Sequence, residues 1–266
     1  MLQMNSVFYS PQTVYPSFVP KETFVSQLPL AAPQFEEVLK QIGANSYHDK
    51  HPFHLLMNEG KLSKEALQGW VANRFYYQAQ IPIKDAAILS NCPDRELRRA
   101  WISRIHDHDG FGEDPGGIER WLNLGLAVGL SREDLLSHRY LLPGVRYAVD
   151  AYVHFCREQP WLIAMASSLT ELFAPTIHRI RISAFPKYYP WIDPKGLKYF
   201  ERRVEQAPRD VRFTLGLVLE KCTTQQLQLS VIEALQFKCD LLWSMLDALY
   251  MHYQLGIRVP RPLYAL

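Results

Sequence analysis

Four basic side chains lie on largely apolar faces of predicted helices. On an α-helix, residues three and four positions apart share a face. Lys238 has apolar residues at all four of those positions, within Ile232–Tyr250, the most apolar helix predicted for the chain. Arg74, Lys84 and Arg181 are placed in a comparable way on other helices. Because an unpaired buried cation costs several kcal/mol, each of these side chains needs an anionic partner.

Two sources of negative charge satisfy this requirement. Internal carboxylates such as Asp85, Glu171, Asp240 or Asp247 would suffice for any single cation. Four cations on separate helices instead favour a shared basic cavity. Its ligand would be a small polyanion carrying several carboxylates, because guanidinium groups bind carboxylates through two parallel hydrogen bonds.

Histidines and tyrosines accompany the cations at helical spacing. His178 lies three residues before Arg181, and Tyr199 lies four residues before Arg203. Imidazole and phenol groups move protons or stabilise anions derived from oxygen. Each residue taken singly is also a plausible core or rim residue.

The sequence gives only a weak indication of a metal site. Histidines recur at 48, 51 and 54, and His106–Asp109 is dense in histidine and aspartate. There is no H-E-x-x-H motif, and no glutamate is followed by histidine three residues later, as di-iron bundles require. A haem on one histidine is compatible with the spacing. Phosphate-binding glycine motifs are absent, and neither Cys156 nor Cys222 has a histidine one turn away. We expect no metal site.

The composition is that of an ordinary globular protein. The chain has 266 residues, 21% of them charged, and a net charge of +2. This balance gives no drive towards nucleic acid or anionic membranes. Four scattered cysteines, with no C-x-x-C pair, indicate reduced core residues of a cytoplasmic protein. No apolar run long enough to cross a membrane and no secretory signal is apparent.

The elements that position these residues are predicted to be helices throughout. Residues 1–32 are rich in proline and predict an irregular arm, 33–254 a single helical domain, and 255–266 a tail. Helices are expected from Pro33 to a stop at Gly43, and at 51–59, 63–91 with a kink at Pro82, 95–107, 118–128, 132–138, 144–158, 161–185, 195–206, 209–221 and 224–254. A glycine-rich loop occupies 110–117. The predicted fold class is all-α, a compact multi-helix bundle.

Longer blocks of the sequence resemble the pyrroloquinoline-quinone synthase (PqqC) family. These are GWVANRFYYQ (69–78), IPIKDAAIL (81–89), NCPD (91–94), RIHDHDG (104–110), EDPGGIERWL (113–122), LPGVRYAVDAY (142–152), SSLTELFAPTIH (167–178) and LQFKCDLLWSMLDA (235–248). The resemblance covers about residues 34–254, and collinear blocks of this length are more specific than any short motif. The glycine loop GFGEDPGG differs in detail from the family pattern, which bears on a lid more than on the chemistry.

The resemblance implies a haem-oxygenase-like, TenA-like helical bundle that forms a homodimer. It also implies the last step of PQQ biosynthesis, in which the tricarboxylate AHQQ undergoes ring closure and an eight-electron oxidation. Molecular oxygen is the acceptor and hydrogen peroxide a product. No metal, flavin or haem takes part.

The family's site residues carry over to this sequence. Those implied to hold the substrate are Tyr47, Arg74, Gln78, Lys84, Arg104, Tyr152, Thr170, Arg181 and Lys238. We interpret His48 and His108 as general acid and base, in an order that the sequence leaves open. We place His178, Tyr199 and Arg203 around oxygen, although the two groups could exchange tasks. The alternatives are a metal-dependent or haem oxygenase or a thiaminase-like hydrolase of the same fold, and a PQQ-binding carrier without activity.

Overall fold

The computed structural model describes residues 27–257, and within that range the chain is helical without any strand. The α-helices are α1 (Ala32–Ser46), α2 (Pro52–Asn58), α3 (Lys64–Asn91), α4 (Arg95–Trp101), α5 (Ser103–Asp109), α6 (Gly116–Ala127), α7 (Arg132–Leu136), α8 (Pro143–Glu158), α9 (Trp161–Ala166), α10 (Ala174–Tyr188), α11 (Lys198–Lys221) and α12 (Gln225–Tyr253). Short 3₁₀ segments span His48–Lys50, Ser167–Leu172 and Pro194–Leu197. The all-α class is confirmed.

Two long helices, α3 and α12, form the centre of the bundle. Helix α3 packs against α5, α6 and α8, and α12 packs against α1, α8 and the Ser167–Leu172 segment. Aromatic rings fill the space between α3, α6 and α11, with the Trp70 ring centroid 5.5 Å from that of Trp121 and 6.4 Å from that of Phe200. Burying such rings supplies much of the hydrophobic stabilisation of a core.

Two long helices contain an internal proline. Pro82 lies inside α3, as expected, and the prediction of a break between 206 and 209 is wrong, because α11 continues through Pro208. The buried residues Gln206, Ala207 and Asp210 keep one face of α11 packed across that point. Tertiary contacts therefore compensate for the missing backbone hydrogen bond.

The predicted continuous helix 161–185 is also wrong. The chain leaves α9 at Ala166, passes through the 3₁₀ segment and restarts at Ala174 with Pro175 in the first turn of α10. Proline is favoured there because its missing N–H would have no helical partner. The interruption determines where Thr170 and Glu171 point.

The predicted stop at Gly43 and the single helix 95–107 need correction as well. Helix α1 runs on to Ser46, and a Cβ at Gly43 would collide with the ring of Phe173, so this glycine serves close packing. The second segment divides at Ile102 into α4 and α5. The serine cap at Ser63 is confirmed by its acceptance of the Ala66 N–H at 3.1 Å.

The four cysteines, Cys92, Cys156, Cys222 and Cys239, are buried and unbridged. No helix in residues 27–257 is long and apolar enough to cross a bilayer. The predicted arm falls largely, and the predicted tail partly, outside the described residues, so the three-part division of the chain stays a prediction.

Glycines in the 110–116 loop hold the end of α5 against the start of α6. Gly110, Gly112 and Gly116 all have positive φ, at 96°, 61° and 80°. A Cβ at Gly116 would collide with the backbone of Gly110, close to the carbonyl of His108, whereas a Cβ at Gly112 would meet nothing within 4 Å. Gly116 therefore combines a conformational with a packing requirement, as does Gly110, whose Cβ would meet the backbone of Asp114, whereas Gly112 has only the first.

We expect Gly116→Ala to lower the free energy of unfolding by about 3 kcal/mol or more, because positive φ costs about 1–2 kcal/mol and overpacking about 1–3 kcal/mol. Gly112→Ala is the matched control and should lose only the first contribution. Urea unfolding of both variants measures the difference. Equal losses would contradict the packing role of Gly116.

Candidate active site

A cavity with about 500 Å³ of empty space opens between α3, α5, α10, α11 and the turn after α1. Its wall consists of Tyr47, His48, Arg74, Tyr77, Ile81, His108, Thr170, Glu171, Ala174, Ile177, His178, Arg181, Tyr199, Arg203 and Leu242. Helical spacing explains the wall on α3, where Arg74, Tyr77 and Ile81 occupy one face.

The structure divides the predicted site residues into two groups. Those on the cavity wall are Tyr47, His48, Arg74, His108, Thr170, His178, Arg181, Tyr199 and Arg203. The others, Gln78, Lys84, Arg104, Tyr152 and Lys238, are buried and do not contribute to that wall. Gln78 is nevertheless in contact with it, since its side-chain oxygen accepts the Tyr199 hydroxyl at 2.8 Å.

Part of the buried positive charge is neutralised internally. The Arg104 guanidinium donates to both carboxylate oxygens of Glu171, at 2.9 and 2.6 Å, and lies 3.2 Å from Asp210. Arg203 lies 3.5 Å from Glu171. Burial alone would raise the pKa of Glu171, but Arg104 and Arg203 outweigh it and hold that pKa far below its ordinary value. Both arginines therefore face a permanent anion.

Lys84 is neutralised in the same way. Its ammonium group lies 2.6 Å from Asp85, which also accepts the indole N–H of Trp101 at 2.9 Å. Ser168 accepts a further hydrogen bond from Lys84 at 3.0 Å. For Lys84, Arg104 and Arg203, internal carboxylates are thus the partners.

Within residues 27–257, the direct contacts of three other cations are with neutral groups. Lys238 donates to the Tyr77 hydroxyl at 2.8 Å and lies 3.2 Å from the Tyr152 ring centroid. The guanidinium carbon of Arg181 lies 4.9 Å from the Trp70 ring centroid, and that of Arg74 lies 4.0 Å from the Tyr77 ring centroid. No described carboxylate comes within 4 Å of any of the three charged groups.

The pKa values of two of these cations reflect the missing anions. Burial lowers the pKa of Arg181 to about 9, and the nearby charge of Arg74 adds to the effect. Burial, together with Lys84 and Arg74, puts the pKa of Lys238 well below its ordinary value. Aromatic faces relieve part of the desolvation cost through cation–π attraction. The cavity therefore carries uncompensated positive potential, which an anionic ligand would neutralise.

The cavity histidines are held as neutral imidazoles. Burial and the charge of Arg203 lower the pKa of His108 to about 3, and its Nδ1 lies 2.9 Å from the carbonyl oxygen of Arg104. Burial followed by neighbouring positive charge puts the pKa values of His48 and His178 well below their ordinary value. Neutral imidazole has one nitrogen that donates and one that accepts, so each ring is equipped for proton transfer.

Within residues 27–257, no three His, Cys, Asp or Glu side chains converge as a metal site. Of the histidines considered as ligands, His51 contacts Asp247 at 3.1 Å, while the ring of His106 stacks on Phe111. The expectation that no metal is bound stays a prediction.

Several residues that form or support the cavity wall were not among the predicted site residues. They are Tyr77 and Glu171 on the wall, and His54, Asp85 and Asp210 behind it. Asp85 and Glu171 entered the sequence argument only as partners for cations. Tyr77 could have been found from its position three residues after Arg74. His54 carried no signal beyond its spacing, because its role depends on contacts between distant helices.

The fold places the chain in a known structural class. It superposes with a TM-score of 0.68 on a TenA homologue from Pseudomonas syringae pv. tomato, at 17% identity over 85% of this chain and 95% of that one. A domain of unknown function with a heme oxygenase-like fold from Shewanella denitrificans gives a TM-score of 0.66 at 17% identity, covering 94% of this chain and all of that one. These structures establish the architecture alone.

Sequence comparison then gives the family. Residues 36–248 match the TENA/THI-4/PQQC family, and the chain belongs to it. A relative from Pseudomonas putida, 57% identical over 86% of this chain and 90% of its own, is named pyrroloquinoline-quinone synthase. Relatives of the same name from Pseudomonas syringae pv. syringae and Ectopseudomonas mendocina are each 56% identical, over 85% and 87% of this chain and 90% and 92% of theirs.

We expect the free energy of unfolding to fall as the pH is lowered from about 7 towards 4. His48, His54, His108 and His178 all have lowered pKa values in the folded protein. Below about pH 6.5 the unfolded chain therefore binds protons that the folded chain does not, with a slope of up to about 1.4 kcal/mol per pH unit for each histidine. Glu171 adds to this loss only below about pH 4.5, because its folded pKa lies under the ordinary carboxyl value.

Urea unfolding at intervals between pH 4.5 and 7.5 measures this slope. His108→Asn should reduce the slope by up to about 1.4 kcal/mol per pH unit, the contribution of one proton. His154→Asn, at an exposed position, should leave the slope unchanged. A stability that is flat between pH 7 and 5 would show that the four rings are not held neutral.

Proposed function

We propose that this protein catalyses the final step of PQQ biosynthesis, closing the ring of AHQQ and oxidising it to pyrroloquinoline quinone with O₂ while releasing H₂O₂. The observation that carries the proposal is the excess of positive charge at the cavity, where the half-buried Arg74 and the buried Arg181 face the space and have no carboxylate partner within residues 27–257. A small tricarboxylate would supply the missing anions. Membership of the family and the names of its relatives support the same reaction.

Arg74 and Arg181 are the carboxylate-binding residues in this proposal. Both line the cavity, and guanidinium groups bind carboxylates in a two-pronged geometry. Lys238 acts from behind the wall, since its ammonium group polarises the Tyr77 hydroxyl at 2.8 Å. Thr170 and Tyr47 add neutral polar groups that can bind the remaining substrate oxygens.

His178, Tyr199 and Arg203 form the proposed site of oxygen reduction. The ring centroid of His178 lies 6.1 Å from that of Tyr199, and Arg203 lies on the same cavity wall one turn along α11. The substrate supplies the electrons in this proposal. The protein contributes position, proton transfer and a preorganised positive field for superoxide or peroxide, without metal, flavin or haem. We propose that it works as a cytoplasmic homodimer.

The proposal is tested by mixing metal-stripped protein with AHQQ under anaerobic conditions and then admitting oxygen in a spectrophotometer. The PQQ spectrum and peroxide should appear together. Tight binding without oxidation would indicate a carrier, and oxidation that needs added iron or manganese would indicate a metal-dependent oxygenase.

We expect Arg181→Met to weaken binding of AHQQ or PQQ by about 10–100-fold, because hydrogen bonds to charged groups contribute about 1.5–3 kcal/mol. The unfolding temperature should hold or rise, because a buried cation without an anionic partner is removed. Arg179 is exposed on the same helix and gives the control Arg179→Met. Calorimetric titration and thermal unfolding measure the two effects, and unchanged affinity would remove Arg181 from the binding site.

We expect His178→Asn to bind AHQQ within about 3-fold of the wild type but to oxidise it about 100-fold more slowly, since a positioned acid or base contributes at least that factor. Stopped-flow mixing with oxygenated buffer separates the two steps. His154→Asn, at an exposed position, should behave as the wild type. Normal turnover by His178→Asn would contradict its role in oxygen reduction.

A further inference from the structure

His54 lies outside the cavity wall but contacts two residues on it. Its side chain is buried, with 2% of its surface exposed, on α2. Its Nε2 lies 3.0 Å from Nη2 of Arg181. Its Nδ1 lies 2.9 Å from the backbone carbonyl oxygen of His48 and 3.1 Å from the ring Nδ1 of His48. His54 thus connects a proposed carboxylate-binding arginine to a proposed catalytic histidine.

The hydrogen-bonding capacities of these groups decide where the proton of His54 lies. A guanidinium nitrogen only donates, so Nε2 of His54 accepts and carries no hydrogen. A neutral imidazole has one N–H, which must then be on Nδ1. A cationic ring would direct an Nε2–H at the Arg181 donor, which the geometry opposes. The Nδ1–H points at the carbonyl oxygen of His48, which only accepts.

The same reasoning fixes the proton of His48. Because Nδ1 of His54 is a donor shared between the carbonyl oxygen and Nδ1 of His48, the latter nitrogen accepts and carries no hydrogen. The single proton of neutral His48 is therefore on Nε2. The His48 ring forms part of the cavity wall, and its hydrogen bonds within residues 27–257 are made through Nδ1.

His108 carries its proton on the opposite nitrogen. Its Nδ1 lies 2.9 Å from the carbonyl oxygen of Arg104, so Nδ1 donates and Nε2 holds a free electron pair. The two histidines of the cavity wall therefore have complementary tautomers, an Nε2–H on His48 and a bare Nε2 on His108.

We infer that His54 is a positioning residue that sets His48 as the hydrogen-bond donor to the oxygen on which negative charge develops, opposite His108 as the proton acceptor. The inference rests on the proposed function and assigns the order that the sequence leaves open. When the ring closes, a C–N bond forms and the π bond of the attacked carbon opens. The attacking nitrogen loses a proton to Nε2 of His108, and the oxygen that receives the π electrons accepts a hydrogen bond from Nε2–H of His48, which stays a neutral imidazole and keeps its proton.

The tautomers can be measured without substrate. In protein labelled with ¹⁵N-histidine and free of ligand, two-bond proton–nitrogen correlation distinguishes a protonated from a bare ring nitrogen. The His48 signals are assigned by their loss in His48→Gln. We expect a protonated Nε2 and a bare Nδ1 on His48, and the reverse on His108. A proton on Nδ1 of His48 in the wild type overturns the inference, whatever the enzyme does with AHQQ.

Two variants test the part played by His54. His54→Leu removes the donor, so His48 should populate the other tautomer, and kcat for AHQQ should fall about 10-fold or more while KM changes less than about 3-fold. His54→Asn places an amide N–H near the former Nδ1 and should restore both the tautomer and most of kcat. A tautomer shift in His54→Leu with unchanged kcat would show that the His48 proton is not used.

His51 provides the matched control. It is also buried, three residues before His54, but its side-chain hydrogen bonds are with Asp247 and the backbone N–H of Phe53. His51→Asn should leave the His48 tautomer and kcat as in the wild type. An equal effect of His51→Asn and His54→Leu would reduce His54 to a structural residue.

Discussion

The rest of the structure depends on positive charge that is buried and only partly neutralised. Arg104, Arg203 and Lys84 have carboxylate partners, whereas the buried Arg181 and Lys238 and the half-buried Arg74 face aromatic rings and hydroxyls. Leaving a buried cation without an anion costs several kcal/mol. The aromatic core around Trp70 therefore has two tasks, since it supplies hydrophobic stabilisation and also provides the ring faces on which Arg181 is placed. Ligand binding would recover part of the free energy that this arrangement costs.

The same positive field adds to burial, the larger cause, in lowering the pKa values of the cavity histidines, which stay uncharged near neutral pH. It also counteracts burial at Glu171, which stays ionised between Arg104 and Arg203. Glu171 is thereby a permanent anion of the cavity wall, which contains no other carboxylate from residues 27–257. Its place on the 3₁₀ segment follows from the interruption of the helix before Pro175.

Much of this could be predicted from the sequence because helical periodicity is a local property. The 3.6-residue repeat predicted the all-α class and the inward direction of Lys84, Arg181 and Lys238, which are buried. The predicted helix ends at proline and glycine were wrong where tertiary packing determines whether the helix continues. Pro208 continues a helix that is packed along one face, and Gly43 admits the ring of Phe173. The contact of His54 with Arg181 joins positions 127 residues apart, so no local pattern reveals it.

The chemistry proposed for the cavity gives the burial of three of the four cysteines a consequence. Hydrogen peroxide attacks thiolates far faster than thiols. Burial raises the pKa values of Cys156, Cys222 and Cys239, those of the last two to about 11 and about 12. These sulfurs are therefore protonated, and little of their surface is open to solvent. A catalyst that releases peroxide next to its own core would in this way resist self-inactivation, and its working lifetime would be set by how rarely that core opens.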